Sequence, residues 1–513
     1  MAAAMTQTLS KMLSKHPDTA LALGGMGADW LTYGALRTLS AEIGDQLHSS
    51  GLGRTDRVAI VLPNGPEMAA AFVTLAQWMV TAPLNPNYTK DEFSFYFKDL
   101  KSKAVVLPEG YSGPALAAAQ ELGTLVLRLK PTPQTGAGGF ALSAEGPRLT
   151  GADVTAPSAE DEALILHTSG TTSRPKIVPL LHQNICASAD HIATSLALSS
   201  ADRCLNVMPL FHIHGLIAAV SASLSAGAQI FCTPGFDALK FFGWMSAQRP
   251  TWYTAVPTMH QAILSRAARN ESVITDVPLR FLRSSSASLP PQVFAALEDA
   301  FGAPVIEAYG MTEAAHQMAA NPLPPKPRKP GCVGIAAGPQ VRIADETDNA
   351  LIDGLGEIVI SGANVTPGYE NNPDANAKSF FEAGGNRWFR TGDQGQLDAE
   401  GYLTITGRLK EIINRGGEKI SPREVDEVLM DHPAVAQAVT FAVPHDKLGE
   451  DVAAAVVLAQ EETASEQELS GFVKERLARF KVPRKIVIVE EIPKGATGKL
   501  QRIGLHKKLG LEL

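Results

Sequence analysis

Short apolar runs rich in β-branched residues alternate along this chain with longer stretches of helical pattern. Arg57 to Leu62 and Ala104 to Leu107 read as strands, with a helical pattern from Pro66 to Val80 between them. That order predicts α/β layers with parallel strands. The segment from Pro131 to Pro157 is rich in Gly, Pro, Ala and Ser and lacks sustained periodicity, so it is expected to be a surface loop. Asn321 to Pro330, rich in proline, reads as an extended connection. After the apolar alternation of Tyr402 to Ile405, the segment Gly407-Arg408-Leu409-Lys410 marks the expected main boundary. Beyond it, Ser421-Pro422-Arg423-Glu424 carries a capping serine, a proline at the first helical position and a glutamate three residues on, with Val425, Val428 and Leu429 as the apolar face. Ser465 and Glu468 repeat the capping pattern, and Ile486 to Val489 reads as a strand. The expected architecture is a large N-terminal multi-layer α/β domain, residues 1–407, followed by a small α/β domain, residues 408–513.

Composition agrees with more than one core. The chain has 513 residues and 45% hydrophobic content, whereas single cores stop growing at roughly 250 to 300 residues. A net charge of -8 argues against a general nucleic-acid binder and confines any polyanion site to a local patch. Cys186, Cys204, Cys232 and Cys332 are too few and too widely spaced for a disulfide framework, and no C-x-x-C pair suggests structural zinc. Met1 to Leu13 does not read as a signal peptide, and the longest apolar stretch, Met68 to Val80, is shorter than the roughly 20 residues a bilayer requires. The C-terminus, Leu511-Glu512-Leu513, is not the peroxisomal Ser-Lys-Leu address. The expected compartment is the cytoplasm, with no membrane and no nucleic-acid partner.

Chemistry enters with His167-Thr168-Ser169-Gly170-Thr171-Thr172-Ser173-Arg174-Pro175-Lys176, a loop of small residues with two cations that follows the apolar run Ala163 to Leu166. Glycine lets backbone approach an anion, hydroxyls and amides donate to phosphoryl oxygens, and Arg174 and Lys176 supply charge. It is not a Walker A loop, because Pro175 precedes Lys176 and Ile177 follows it. Four further segments occur in order: Tyr309-Gly310-Met311-Thr312-Glu313, Arg390-Thr391-Gly392-Asp393, Gly407-Arg408-Leu409-Lys410-Glu411 and Pro493-Lys494-Gly495-Ala496-Thr497-Gly498-Lys499. Together the five resemble the acyl-adenylate-forming superfamily of acyl-CoA synthetases, 4-coumarate-CoA ligases, luciferases and adenylation domains. The resemblance runs from about Leu31 to Arg502, nearly the whole chain.

The resemblance implies a ligase that joins a carboxylate to the α-phosphate of ATP, releases pyrophosphate, and passes the acyl group to CoA with loss of AMP. It implies that Thr168, Ser169, Gly170, Thr171, Thr172 and Lys176 cover the phosphates, that Thr312 touches the α-phosphate, and that Glu313 holds Mg²⁺. Tyr309 is expected against adenine, with Asp393 and Arg408 on the ribose hydroxyls. Lys499, flanked by Gly498 and Leu500, is expected to neutralise the attacking carboxylate and α-phosphate. Lys410 matches the hinge about which the small domain, mobile in this family, swings between its two poses, and Gly416 and Gly417 would line the CoA passage.

Family position puts the acyl site near His212, Ser286 and His316, whose hydrogen-bonding capacity suits a second carboxylate better than a fatty chain. Within the superfamily the sequence is most similar to oxalate-CoA ligases, through Thr251 to Thr258, Ser284 to Leu289, Met311 to His316 and Asn414 to Pro422. Another short acid such as malonate, glycolate or acetate, or a nucleotide-binding relative of low turnover, remains an alternative at this point. Ser173 and Ile177 stand where the wider superfamily has glycine, and a β-branched residue at 177 would be costly if the backbone there had positive φ. The expected partners are the small acid, ATP and CoA, with the chain a monomer or homodimer.

Overall fold

The structure, a computed structural model, describes residues 7–146, 149–168, 175–493 and 501–511. These fall into two compact units, one holding 7–146, 149–168, 175–341 and 361–378, the other 342–360, 379–493 and 501–511.

One sheet of the first unit runs Phe140–Glu145, Leu125–Pro131, Ala104–Pro108, Arg57–Ile60, Val80–Pro83, Glu162–Thr168, Lys176–Leu181. Its inner strands are parallel and its two edge strands antiparallel. Parallel strands need coverage on both faces, and Arg57–Ile60, Val80–Pro83 and Ala104–Pro108 are correspondingly almost wholly buried. Phe93, Phe97 and Leu100 of the helix Lys90–Leu100 and Ala115, Ala118 and Ala119 of the helix Pro114–Leu122 fill one side against Val105, Leu107 and Ile165.

Two expectations change here. The segment from Pro131 to Pro157 contains a strand, Phe140–Glu145, which pairs with Leu125–Pro131 and sets Phe140 opposite Pro131. It escaped the hydrophobic pattern because it is an edge strand with only Phe140 buried. Ile177, second, is neither in the loop nor at positive φ: it lies in the strand Lys176–Leu181 opposite His167, buried in the apolar cluster with Ile165, and its carbonyl accepts from the Glu370 amide at 3.1 Å. Isoleucine suits extended, buried backbone. Ile177→Gly should therefore destabilise the protein, by about 2–5 kcal/mol from lost packing, and leave the KM for ATP near its starting value. A lowered thermal midpoint in calorimetry checks this, whereas unchanged stability with faster ATP use would contradict it.

The second sheet of this unit runs Ile335–Ala336, His316–Ala320, Val305–Met311, Phe281–Ser285, Trp252–Ala255, Arg203–Asn206, Gln229–Cys232, Leu21–Gly24, Leu31–Thr32. Leu205, Tyr253 and Leu282 lie side by side and bury one face under the helices Phe241–Gln248, Pro257–Leu264 and Pro291–Phe301. Alternation along a strand then puts the next row, Asn206, Thr254 and Arg283, on the other face. That row is polar, and it lies near the C-terminal ends of parallel strands.

In the second unit, Leu351–Ile352, Gln340–Ala344, Gly356–Ser361, Asn386–Leu397 and Phe380–Ala383 form one sheet, with Leu403–Arg408 also paired to Asn386–Leu397. Another sheet comprises Glu418–Ile420, Ile413–Arg415, Gly449–Leu458, Val435–His445 and Lys485–Ile488. Helices Pro422–Met430 and Glu466–Lys474 cover it through Val425, Leu429, Leu469 and Val473. Ser421 accepts from the Glu424 amide, and Ser465 and Glu468 form the reciprocal cap. Arg502 anchors the last described segment, binding Asp426 at 2.6 Å and Glu411 at 3.3 Å.

Candidate functional site

The polar row of the first unit gathers several groups at one end of its sheet. His214 opens a π-helical turn, His214–Ser221, Thr254 sits in Trp252–Ala255, and Ser286 follows Phe281–Ser285. The Nδ1 atom of His214 is 3.0 Å from Ser286 Oγ, and its Nε2 is 2.6 Å from Thr254 Oγ1. Arg283 donates from one terminal nitrogen to His214 Nε2 and Thr254 Oγ1, each at 3.4 Å, and from the other to Gln317 Oε1 at 3.2 Å. The His316 ring lies 5.1 Å from the His214 ring, and both histidines are buried. Of the three acyl-site residues expected from sequence, Ser286 and His316 both meet His214 here, while His212 is half-buried with its ring 4.6 Å from Phe211.

Backbone geometry marks the same place. Ser286, Ala315 and His316 have φ of 73°, 46° and 102°, values that side chains other than glycine seldom adopt and that concentrate at functional sites. Gly310 makes the turn into His316 possible: a Cβ at 310 would lie 2.0 Å from the His316 carbonyl oxygen. Arg283 is fully buried, its Nε has no hydrogen-bond partner, and no carboxylate pairs with it among the described residues. Burial pulls its pKa down to about 9, which still leaves it cationic at neutral pH. His260, which donates to the Arg283 carbonyl at 3.2 Å and meets Tyr253 Oη at 3.0 Å, is held neutral by burial with a pKa of about 4.

A second group in this unit joins a carboxylate to a cation. Thr312 and Glu313 occupy the short turn after Val305–Met311, the strand that carries Tyr309, which is buried. Glu313 is buried too, and its Oε1 accepts from Tyr369 Oη at 2.8 Å while its carbonyl accepts from the Thr366 amide at 2.8 Å. Lys176 Nζ lies 4.1 Å above the Tyr369 ring. Thr168 and Lys176 face each other across the hairpin formed by Glu162–Thr168 and Lys176–Leu181. Ser169, Gly170, Thr171 and Thr172, between them, lie outside the described residues.

In the second unit, Asp393 and Arg408 stand opposite each other on paired strands, with Arg408 Nε 3.2 Å from Asp393 Oδ1. Asp393 is buried and its amide donates to Thr391 Oγ1 at 3.1 Å, whereas the Arg408 side chain is 57% exposed and can turn to a ligand. Lys410 is exposed just after this pair. Gly416 and Gly417, with φ of 60° and 97°, form the exposed turn between Ile413–Arg415 and Glu418–Ile420. Lys499 lies outside the described residues.

Sequence reasoning passed over His214 as a working group, and over Thr254, Arg283, Gln317 and Tyr369. One signal was available: Arg283 places a charge in the otherwise apolar strand start Phe281-Leu282. Among the described residues no three His, Cys, Asp or Glu side chains cluster as a metal site, and no helix is long and apolar enough to cross a membrane.

The sequence pattern of AMP-binding enzymes matches residues 9–370, and that of the AMP-binding enzyme C-terminal domain matches residues 424–499. The oxalate–CoA ligase of Arabidopsis thaliana is 43% identical over 508 residues, covering 96% of this chain and 96% of that protein. The oxalate–CoA ligase of Saccharomyces cerevisiae is 43% identical over 472 residues, covering 88% and 86%. Among solved structures, the O-succinylbenzoate coenzyme A synthetase of Bacillus subtilis in complex with ATP and a magnesium ion superposes with a TM-score of 0.80 at 27% identity, covering 98% of this chain and 100% of that one. Enzymes of this kind take ATP and CoA as cosubstrates for a carboxylic acid. The chain belongs to the AMP-binding enzyme family and is an AMP-forming acid–CoA ligase.

Proposed function

We propose that the acid is oxalate, converted through oxalyl-AMP to oxalyl-CoA in the cytoplasm. The observation that carries this reading is the cluster of two buried histidines, His214 and His316, with the half-buried Ser286 at one end of the sheet. A hydrocarbon tail would leave the Ser286 hydroxyl proton without an acceptor, at about 1–3 kcal/mol, whereas a second carboxylate would accept it. His212, expected at the same site from sequence, stands two residues before His214 with its ring beside Phe211. The names of the two relatives, both oxalate–CoA ligases, support the same choice.

In this reading one oxalate oxygen attacks the α-phosphorus, the bond to the bridging oxygen breaks, and pyrophosphate leaves. Thr168, Ser169, Gly170, Thr171, Thr172 and Lys176 hold the phosphates, Thr312 donates to the α-phosphate, Tyr309 packs on adenine, and Asp393 and Arg408 bind the ribose hydroxyls. Glu313 fits a Mg²⁺ site, because Mg²⁺ on a nucleotide takes one or two protein carboxylates beside phosphate oxygens and Tyr369 and Thr366 already fix this one in place. When bound, the ion offsets phosphate charge. Lys499 neutralises the reacting oxygens. Residues 408–513 then swing about Lys410, Gly416 and Gly417 admit the CoA arm, and the thiolate displaces AMP from the acyl carbon. Acid-dependent AMP release with CoA, measured across oxalate, malonate, glycolate and acetate, should give oxalate the highest kcat/KM. A higher value for any of the other three would overturn the assignment.

A further inference from the structure

Arg283 is a cation in the interior of a sheet with no counter-ion among the described residues. A buried charge of this kind is costly to fold around. Its neighbours set the direction of a hydrogen-bond chain. A guanidinium only donates, so Arg283 at 3.4 Å requires His214 Nε2 to be the unprotonated nitrogen. Thr254 Oγ1 also accepts from Arg283, which leaves its own proton for His214 Nε2 at 2.6 Å. The neutral imidazole therefore carries its proton on Nδ1 and donates it to Ser286 Oγ at 3.0 Å. Ser286 makes no other side-chain hydrogen bond among the described residues, so its hydroxyl proton points to whatever lies beyond.

We propose that Arg283 and Thr254 are positioning residues for the acid: they orient an Arg283–Thr254–His214–Ser286 chain whose last hydroxyl donates to the carboxylate of the acid that does not react. The inference rests on the reading of the acid as a dianion, because only a distal carboxylate would use the donor. The bound acid also supplies a negative charge, which no described residue offers Arg283. Neither residue touches the substrate. Each acts by fixing the tautomer of His214 and by concentrating positive potential behind Ser286.

Arg283→Met, of similar volume, and Thr254→Val, isosteric, separate the two parts of the device. Both should raise the KM for oxalate about tenfold or more, the loss expected when a hydrogen bond to a charged group weakens, while the KM for ATP and the kcat/KM for the best monocarboxylate stay within about twofold. Arg283→Lys, which keeps the charge, should recover part of the oxalate KM. Thermal midpoints distinguish a structural role: removing an uncompensated buried charge should leave the Arg283→Met midpoint unchanged or higher. A lower midpoint with an unchanged preference for oxalate would overturn the proposal. So would wild-type oxalate KM in both variants where Ser286→Ala loses oxalate, an outcome that leaves the oxalate reading intact. A wild-type enzyme that shows no preference for oxalate defeats the reading itself.

Discussion

Lys499→Ala should slow acyl-adenylate formation about 10²–10³-fold, the loss typical when one preorganised electrostatic partner of a transition state is removed. It should also leave thioester formation from a preformed acyl-adenylate close to wild type. The first half-reaction brings an anionic acid against a triphosphate, and like charges must approach within bonding distance. A lysine with glycine on its N-terminal side can extend a compact, strongly charged head to that point. Arg502, three residues on, is fixed by Asp426 and Glu411. In the second half-reaction the leaving group is AMP and the nucleophile a thiolate, so the charge problem is different and Lys499 is not needed. Acid-dependent pyrophosphate exchange reads the first step, and thioester formation from supplied oxalyl-AMP reads the second. Equal loss in both would remove Lys499 from its assigned role and make it a structural residue of the C-terminal segment.

What the sequence disclosed depends on how local each signal is. Glu313, Asp393 and Arg408 belong to short runs of turn-forming and charged residues, a signal contained in a few adjacent positions. The caps at Ser421 and Ser465 are equally local, and both formed as expected. Arg283, Thr254 and His214 were harder to read because their partnership spans three separate elements and depends on strand register: Thr254 is opposite Arg283 only once the parallel pairing is known. Tyr369 is remote from Glu313 in sequence yet holds its carboxylate, and nothing near either residue announces the contact. Ile177 shows the opposite error. Judged by its distance from the loop lysine it belonged to the phosphate loop, but the strand already begins at Lys176, and the side chain belongs to the core.

Substitution at the acyl end should alter the choice of acid far more than the use of ATP. His212→Ala, Ser286→Ala and His316→Ala should each raise the KM for oxalate and reduce its advantage over acetate, by roughly ten- to a hundred-fold where a hydrogen bond to a charged group is lost, about 1.5 to 3 kcal/mol. Oxalate carries a distal carboxylate that needs donors in a buried place, and acetate presents a methyl group there. The effect should be greatest at Ser286, which ends the chain from His214, and at His316, which is buried beside the His214 ring. His212, half-buried against Phe211, should show the smallest of the three. The KM for ATP should hardly move, because Lys176, Glu313 and Tyr369 form a separate group with their own contacts. Steady-state kcat/KM for both acids in each variant decides the matter: if all three keep the wild-type ratio of oxalate to acetate, the polar cluster is a structural feature of the sheet and the dicarboxylate reading fails.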